Sequence, residues 1–185
     1  MKRVVWLVCV LLVLTGCEMG NEPLEQAVAF RERLLSSQGC SFRTEVTADY
    51  GDLIHRFSMD CSGDASGNLE FEILQPEGIA GIRGKISDQG GSIEFEDQAL
   101  FFPLMTDDLL TPASAPWIFL KTLRSGYITS ACEEDGLLHI TVDDGYEEDA
   151  LTLDIRMEND QPVQADILHE GKRILALTVE NFSIS

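Results

Sequence analysis

One pattern recurs along the chain: short runs in which apolar and polar residues alternate, each closed by a turn. Leu69, Phe71 and Ile73 alternate with Glu70 and Glu72, and Leu151, Leu153, Ile155 and Met157 with Thr152, Asp154 and Arg156. Side chains of an extended strand point to opposite faces in turn, so each such run gives one wet and one dry face. Similar runs occupy 41–49, 52–61, 68–74, 82–86, 92–96, 99–102, 127–133, 137–142, 150–157, 163–169 and 173–182. Glu170-Gly171 and Asp135-Gly136 read as two-residue hairpin turns. The first is expected to set Ile167 opposite Ile174, and the second Cys132 opposite His139. Val163, Ala165, Ile167, Ile174 and Ala176 are then expected to face inward. A strongly bent antiparallel sheet of about ten strands follows, and its dry face needs a cover that sheet pairing alone does not supply.

Two segments break the alternation with helical spacing. Pro23 to Gln38 carries Leu24, Ala27, Val28, Arg31, Leu34 and Leu35 on one stripe, with Pro in the first turn and Gly39 after the end. Trp117 to Arg124 is apolar on most sides. Ser114 stands as its cap, Pro116 in its first turn, Arg124 near its end and Gly126 beyond. These two helices are expected to pack on the concave face.

The first hairpin makes a prediction about cysteines. A two-residue turn at Tyr50-Gly51 pairs Val46 with His55, Thr44 with Phe57, Phe42 with Met59 and Cys40 with Cys61. Cys40 and Cys61 would then share a closely spaced pair, and a cross-strand disulfide is expected. It would close a loop of about 20 residues and contribute about 3 kcal/mol in the chain-entropy view. The competing reading is two buried free thiols. Cys132 opposite His139 has no third ligand or orienting carboxylate, so neither a metal site nor a catalytic dyad is assigned there.

The first 22 residues address the chain. Lys2 and Arg3 precede Val4 to Leu14, an apolar run of 11 residues. That is the length of a secretory leader core and far short of the roughly 20 residues that cross a bilayer. Leu14-Thr15-Gly16-Cys17 fits the bacterial lipobox, in which small residues precede a cysteine to be acylated. Residues 1–16 thus read as a lipoprotein signal peptide, Cys17 as the lipidation site, 17–22 as a tether and 23–185 as one domain. Lipid on Cys17 anchors the protein to the bacterial cell membrane from the extracytoplasmic side.

Composition excludes several function classes. The leader takes two of the 13 basic residues and none of the 32 acidic ones; 11 remain against 32, a formal charge of −21. Such a chain is repelled by nucleic acid and by anionic headgroups, whereas a cationic protein partner is compatible with it. With His55, His139 and His169 as its only histidines, the sequence shows no zinc-protease, nucleophile-elbow or phosphate-loop motif. No enzyme activity, cofactor or metal is expected. The acidic run Asp143-Asp144-Gly145-Tyr146-Glu147-Glu148-Asp149 lacks calcium-loop spacing.

Anchor, amphipathic helix, antiparallel strands, Pro-led apolar helix and further meander, in that order, resemble the LolA/LolB-like lipoprotein-carrier superfamily. The resemblance spans residues 23–182 and rests on element order, closest to the membrane-anchored members. It implies a mainly β (α+β) fold: a strongly curved antiparallel half-barrel, with an amphipathic N-terminal helix and a short second helix on the concave face. It further implies a hollow that takes an acyl chain or other apolar ligand, in lipid or lipoprotein handling, in a monomer. Phe42, Phe57, Met59, Phe71, Trp117, Leu120, Leu153, Ile155 and Met157 are the lining candidates. The alternative is a cell-surface interaction lipoprotein with a filled core and an acidic partner-docking face.

Overall fold

The computed structural model describes residues 22–49, 54–95, 98–106, 109–147 and 150–185. The leader, Cys17 and all of the tether but Glu22 lie outside the described residues. Helix α1, Glu22–Ser36, leads into a meander of six strands: β1 (Gly39–Asp49), β2 (Ile54–Asp64), β3 (Leu69–Gln75), β4 (Arg83–Ser87), β5 (Gly90–Phe95) and β6 (Gln98–Phe102). A two-strand ribbon, β7 (Met105–Thr106) with β8 (Leu109–Leu110), follows, and then helix α2, Ala115–Ser125. The chain closes with β9 (Tyr127–Glu134), β10 (Leu137–Asp143), β11 (Leu151–Glu158), β12 (Gln161–His169) and β13 (Lys172–Ile184).

Eleven strands form one antiparallel sheet in the order β6-β5-β4-β3-β2-β1-β13-β12-β11-β10-β9. The two meanders meet where the first strand pairs with the last, and the sheet stays open because β6 and β9 do not pair. This is the curved half-barrel with two helices that the alternation and the two helical segments predict. The link from β6 to β9 must return across the whole sheet, which lays α2 over the concave face against β2 and β10–β13.

The first hairpin is shifted from its expected register by two residues. Phe42 stands opposite Cys61, Thr44 opposite Met59, Val46 opposite Phe57 and Cys40 opposite Gly63. Four residues, 50–53, separate the strands, where a two-residue turn was expected. A shift of two keeps every side chain on its face, so the burial pattern survives while the pairing changes. The disulfide does not: Cys40 and Cys61 sit diagonally on the same face as buried free thiols. Opposite Cys40 is a glycine, over which Leu120 packs.

Three bulges explain the other departures. Between β12 and β13, Leu168 faces Arg173 but Ile167 faces Leu175, so Ile174 is the extra residue. Leu175, Leu177 and Val179 therefore fill the core in place of Ile174 and Ala176. Val163 is the extra residue against β11, where Met157 faces Pro162. Near the end of β13, Asn181 takes φ 54° and turns Phe182 inward. The Asp135-Gly136 turn forms as read, with φ 53° and 78°, and Cys132 does face His139. Cys132 is exposed.

Helix α1 buries Ala27, Phe30 and Leu34, while Val28 and Leu35 stay exposed. Its apolar stripe is thus rotated from the expected one, because Phe30 offers more area to the core than either aliphatic neighbour. Helix α2 starts two residues before Trp117, and Ser114 donates its hydroxyl to the Thr111 carbonyl (2.6 Å) without capping the helix. Gly126 ends α2 with φ −74°, so it serves space, not a left-handed turn: a Cβ there would meet the Asp143 carbonyl oxygen at 2.6 Å and Val142 Cγ1 at 2.7 Å.

Candidate functional site

The concave face is built in rows, because residues paired across neighbouring strands share a face. One row runs Leu100, Ile93, Gly84, Phe71, Cys61 and Phe42. The next runs Phe102, Gly91, Ile86, Leu69, Gly63 and Cys40. The glycines make room for their neighbours. The Phe71 ring lies over Gly84 and the Phe102 ring over Gly91, both closer than any Cβ would allow. On the other half, Leu153, Ile155 and Met157 face Ile167, Ala165 and Pro162.

Eight of the nine lining candidates belong to one buried core, with Phe57 partly buried at its margin. Phe42, Met59, Phe71, Trp117, Leu120, Leu153, Ile155 and Met157 are between 0% and 5% exposed. What fills the space between the walls is α2, eight of whose 11 residues are buried.

Of the four rings that seat the helices, sequence reasoning singled out Phe42 and missed the other three. Phe30 of α1, Phe119 of α2, Phe42 of β1 and Phe182 of β13 form a ring cluster, with Phe42 5.8 Å from Phe119 and 5.7 Å from Phe182. Phe30 lies 5.9 Å from Phe182. Of these, the three-and-seven spacing of Ala27, Phe30 and Leu34 was the available signal. Arg31, placed in the apolar stripe by its position, proves to hold the two helices together. Its Nε donates to the Leu123 carbonyl and its Nη1 to the Gly126 carbonyl, each at 2.8 Å. These are the orphan acceptors at the C-terminus of α2, where positive charge is favoured. Burial pulls the Arg31 guanidinium below its ordinary value, but it remains a cation at neutral pH.

The opposite side of α2 is latched to the β2–β3 turn. Trp117 Nε1 donates to the Gly67 carbonyl at 2.9 Å, and Arg124 donates to the carbonyls of Asp64 (3.1 Å) and Ala65 (2.8 Å). Lys121 sits 5.2 Å from the Trp117 ring centroid and 3.8 Å from Asp144. A groove of about 680 Å³ opens at this rim and shares Asp64 and Asn68 with the latched turn. Leu69, Ile86 and Phe102 line its inner side, Glu70, Lys85 and Phe101 its outer side.

A depression of about 420 Å³ on the convex face lies between Asp60, Glu72, Arg83 and Glu94, and another of about 340 Å³ between Asp143, Tyr146, Glu147 and Glu170. Among the described residues, no group of three or more His, Cys, Asp or Glu side chains could hold a metal ion.

No protein-family model matches the sequence, and no curated protein matches it. Solved structures align with most of its length. A LolA superfamily protein from Nitrosomonas europaea aligns with a TM-score of 0.44 at 9% identity, over 86% of this chain and 93% of that one. A domain named for outer-membrane lipoprotein sorting, from Vibrio parahaemolyticus, aligns at 0.46 and 10%, over 89% and 92%. The Mycobacterium tuberculosis lipoprotein LppX aligns at 0.41 and 14%, over 87% and 93%. At such identities the likeness is one of fold alone.

Proposed function

We propose that the protein is an extracytoplasmic lipoprotein, held to the bacterial cell membrane by lipid on Cys17, that takes an acyl chain or other apolar ligand on its concave face in exchange for α2. The observation that carries this reading is the composition of the hollow. Its walls are apolar from Phe42 to Met157, and what fills it is a short helix held at its margins by hydrogen bonds to backbone carbonyls. The rim groove beside the Trp117–Gly67 latch gives a ligand its entry.

The energies are commensurate. A chain of about 15 methylenes contributes roughly 12 kcal/mol on burial. Withdrawing Trp117, Ile118, Phe119, Leu120 and Leu123 costs roughly 8–15 kcal/mol at about 1.5–3 kcal/mol per large side chain. An exchange between the two is therefore close to balanced.

Trp117 is the single tryptophan left once the leader is removed, so its fluorescence reports the exchange directly. Titrating oleate into protein produced without residues 1–17 should shift Trp117 emission to the red, saturably. Unchanged emission, together with a native mass spectrum free of co-purified lipid, would remove the proposal. The filled-core alternative draws on one specific observation, the 0–5% exposure of the same walls. In that reading the half-barrel is a rigid scaffold, and its acidic outer face docks a partner.

A further inference from the structure

The two edges of the open sheet are treated differently. Strand β9 carries Glu133 and Glu134, and α1 packs against it. Strand β6, at the other end, pairs with β5 alone, and among the described residues no strand or helix covers its outer edge. Its five residues, Gln98-Ala99-Leu100-Phe101-Phe102, include no charge and no proline, and its register with β5 has no bulge. These are the devices by which sheet edges are ordinarily guarded. Leu100 is 58% exposed on the concave side and Phe101 85% exposed on the convex side.

The convex row that ends at this edge has a second property. Its members are Glu180, Arg43, Asp60, Glu72, Arg83, Glu94 and Ala99. Arg43 holds Asp60 through two bonds of 2.8 and 2.9 Å, and Arg83 holds Glu72 at 2.8 Å. Lys85, in the neighbouring row, holds Glu70 at 2.8 Å. Glu94, the last acid before the edge, lies opposite Arg83 and feels the charge of Lys85, but both cations make their short contacts to other acids, and among the described residues Glu94 has no ion pair within 4 Å. Between it and the open side stands Ala99, whose methyl screens nothing.

The geometry points to β6 as a docking edge for an extended segment of a partner protein that adds a twelfth strand to the sheet. The segment carries Lys or Arg opposite Ala99, flanked by an apolar residue opposite Leu100 and an aromatic or apolar residue opposite Phe101. Strands lie about 4.8 Å apart, so Glu94 and a residue opposite Ala99 are separated by roughly 10 Å of backbone. A Lys or Arg side chain meeting the Glu94 carboxylate spans that distance over the alanine. Main-chain hydrogen bonds supply binding and the alternating side chains supply selection. The chain's net charge of −19 steers a cationic segment toward it. A second copy of this chain fits less well, because β6 has no cation to offer and pairing it with itself leaves both Glu94 side chains unmatched. The outward main-chain groups of β6 and the convex Glu94 are not among the contacts of α2, so the proposal stands whether or not α2 exchanges with a ligand.

The test uses the full chain in dodecyl maltoside and a fluorescein-labelled peptide, Thr-Phe-Val-Lys-Val-Phe-Thr, whose palindromic order makes strand direction irrelevant. Anisotropy should show saturable binding, about tenfold weaker for the same peptide with Glu in place of Lys. Ala99→Lys puts a cation of the chain's own beside Glu94 and should weaken binding about tenfold, with an unchanged thermal midpoint showing that the fold is intact. Glu94→Gln should weaken the Lys peptide about two- to fivefold, the range of an exposed pair, and flatten its salt dependence. Absence of binding, equal binding of the Lys and Glu peptides, or indifference to both substitutions would overturn the proposal. So would sedimentation showing that β6 is already occupied by a second copy.

Discussion

Single residues show how burial governs chemistry here. The Cys61 thiol is pushed far up, first by desolvation and then by the charge of Asp60, and burial likewise raises Cys40. Because the thiolate is the nucleophile, neither should react in the folded state. Of Cys40, Cys61 and Cys132, one thiol, Cys132, should titrate rapidly with a disulfide reagent and the other two only after denaturant is added. Rapid modification of two or more would contradict the packing. Carboxylates give the complementary case. Bonds from the Asn68 side chain and from backbone N–H groups hold Asp64 below the usual carboxylate range, and the Arg43 guanidinium does the same for Asp60. A depressed folded-state pKa stabilises above the unfolded value near 3.9 and is lost as pH falls through the folded value. Asp64→Asn should therefore show a shallower loss of stability than the parent below about pH 4, read from urea midpoints across pH.

At the scale of elements, α2 matters most, and its position depends on few contacts. Helices of 11 residues are marginal alone, so α2 persists through its burial and its two sets of carbonyl bonds. Arg31→Met keeps the aliphatic stem and removes both bonds to the Leu123 and Gly126 carbonyls. The expected loss is about 2–3 kcal/mol, the range for charged hydrogen bonds, measured by urea unfolding. Hydrogen exchange should rise in the last turn of α2 while protection of β1 and β13 holds. If exchange of the acyl type occurs, the same variant should shift the oleate titration of Trp117 to lower concentration. A variant that lost stability with no change in that titration would favour the filled-core reading.

For the whole molecule, the sheet's openness sets what it can do. A closed barrel has no edges; this one has two, with α1 packed against one and nothing described over the other. The proposed attachment to a membrane rests on Cys17, which lies outside the described residues. Cys17→Ser should move the protein from the membrane to the soluble fraction, checked by fractionation after a carbonate wash. Retention in the membrane as tight as before would remove the anchor from the account. Among the described residues no helix is long and apolar enough to cross a membrane.

What the sequence determined by itself was the local content: which runs are strands, which two segments are helices, and which face of most strands is dry. Side-chain alternation is a property of one strand, so Leu69, Phe71, Ile73, Leu153, Ile155 and Met157 could be placed inward without knowing their partners. Burial of Phe42 and Met59 was legible for the same reason. Pairing was not, because a hairpin's register depends on loop length and a bulge inserts one residue without changing composition. The four residues at 50–53 moved Cys61 from Cys40 to Phe42, and the bulge at Ile174 exchanged that residue for Leu175. Only the tertiary structure decided that α2 fills the hollow, that Arg31 reaches across to the end of another helix, and that β6 is the edge over which no described element packs. Each of these joins residues far apart in the chain, and no local pattern encodes where the returning segment will cross.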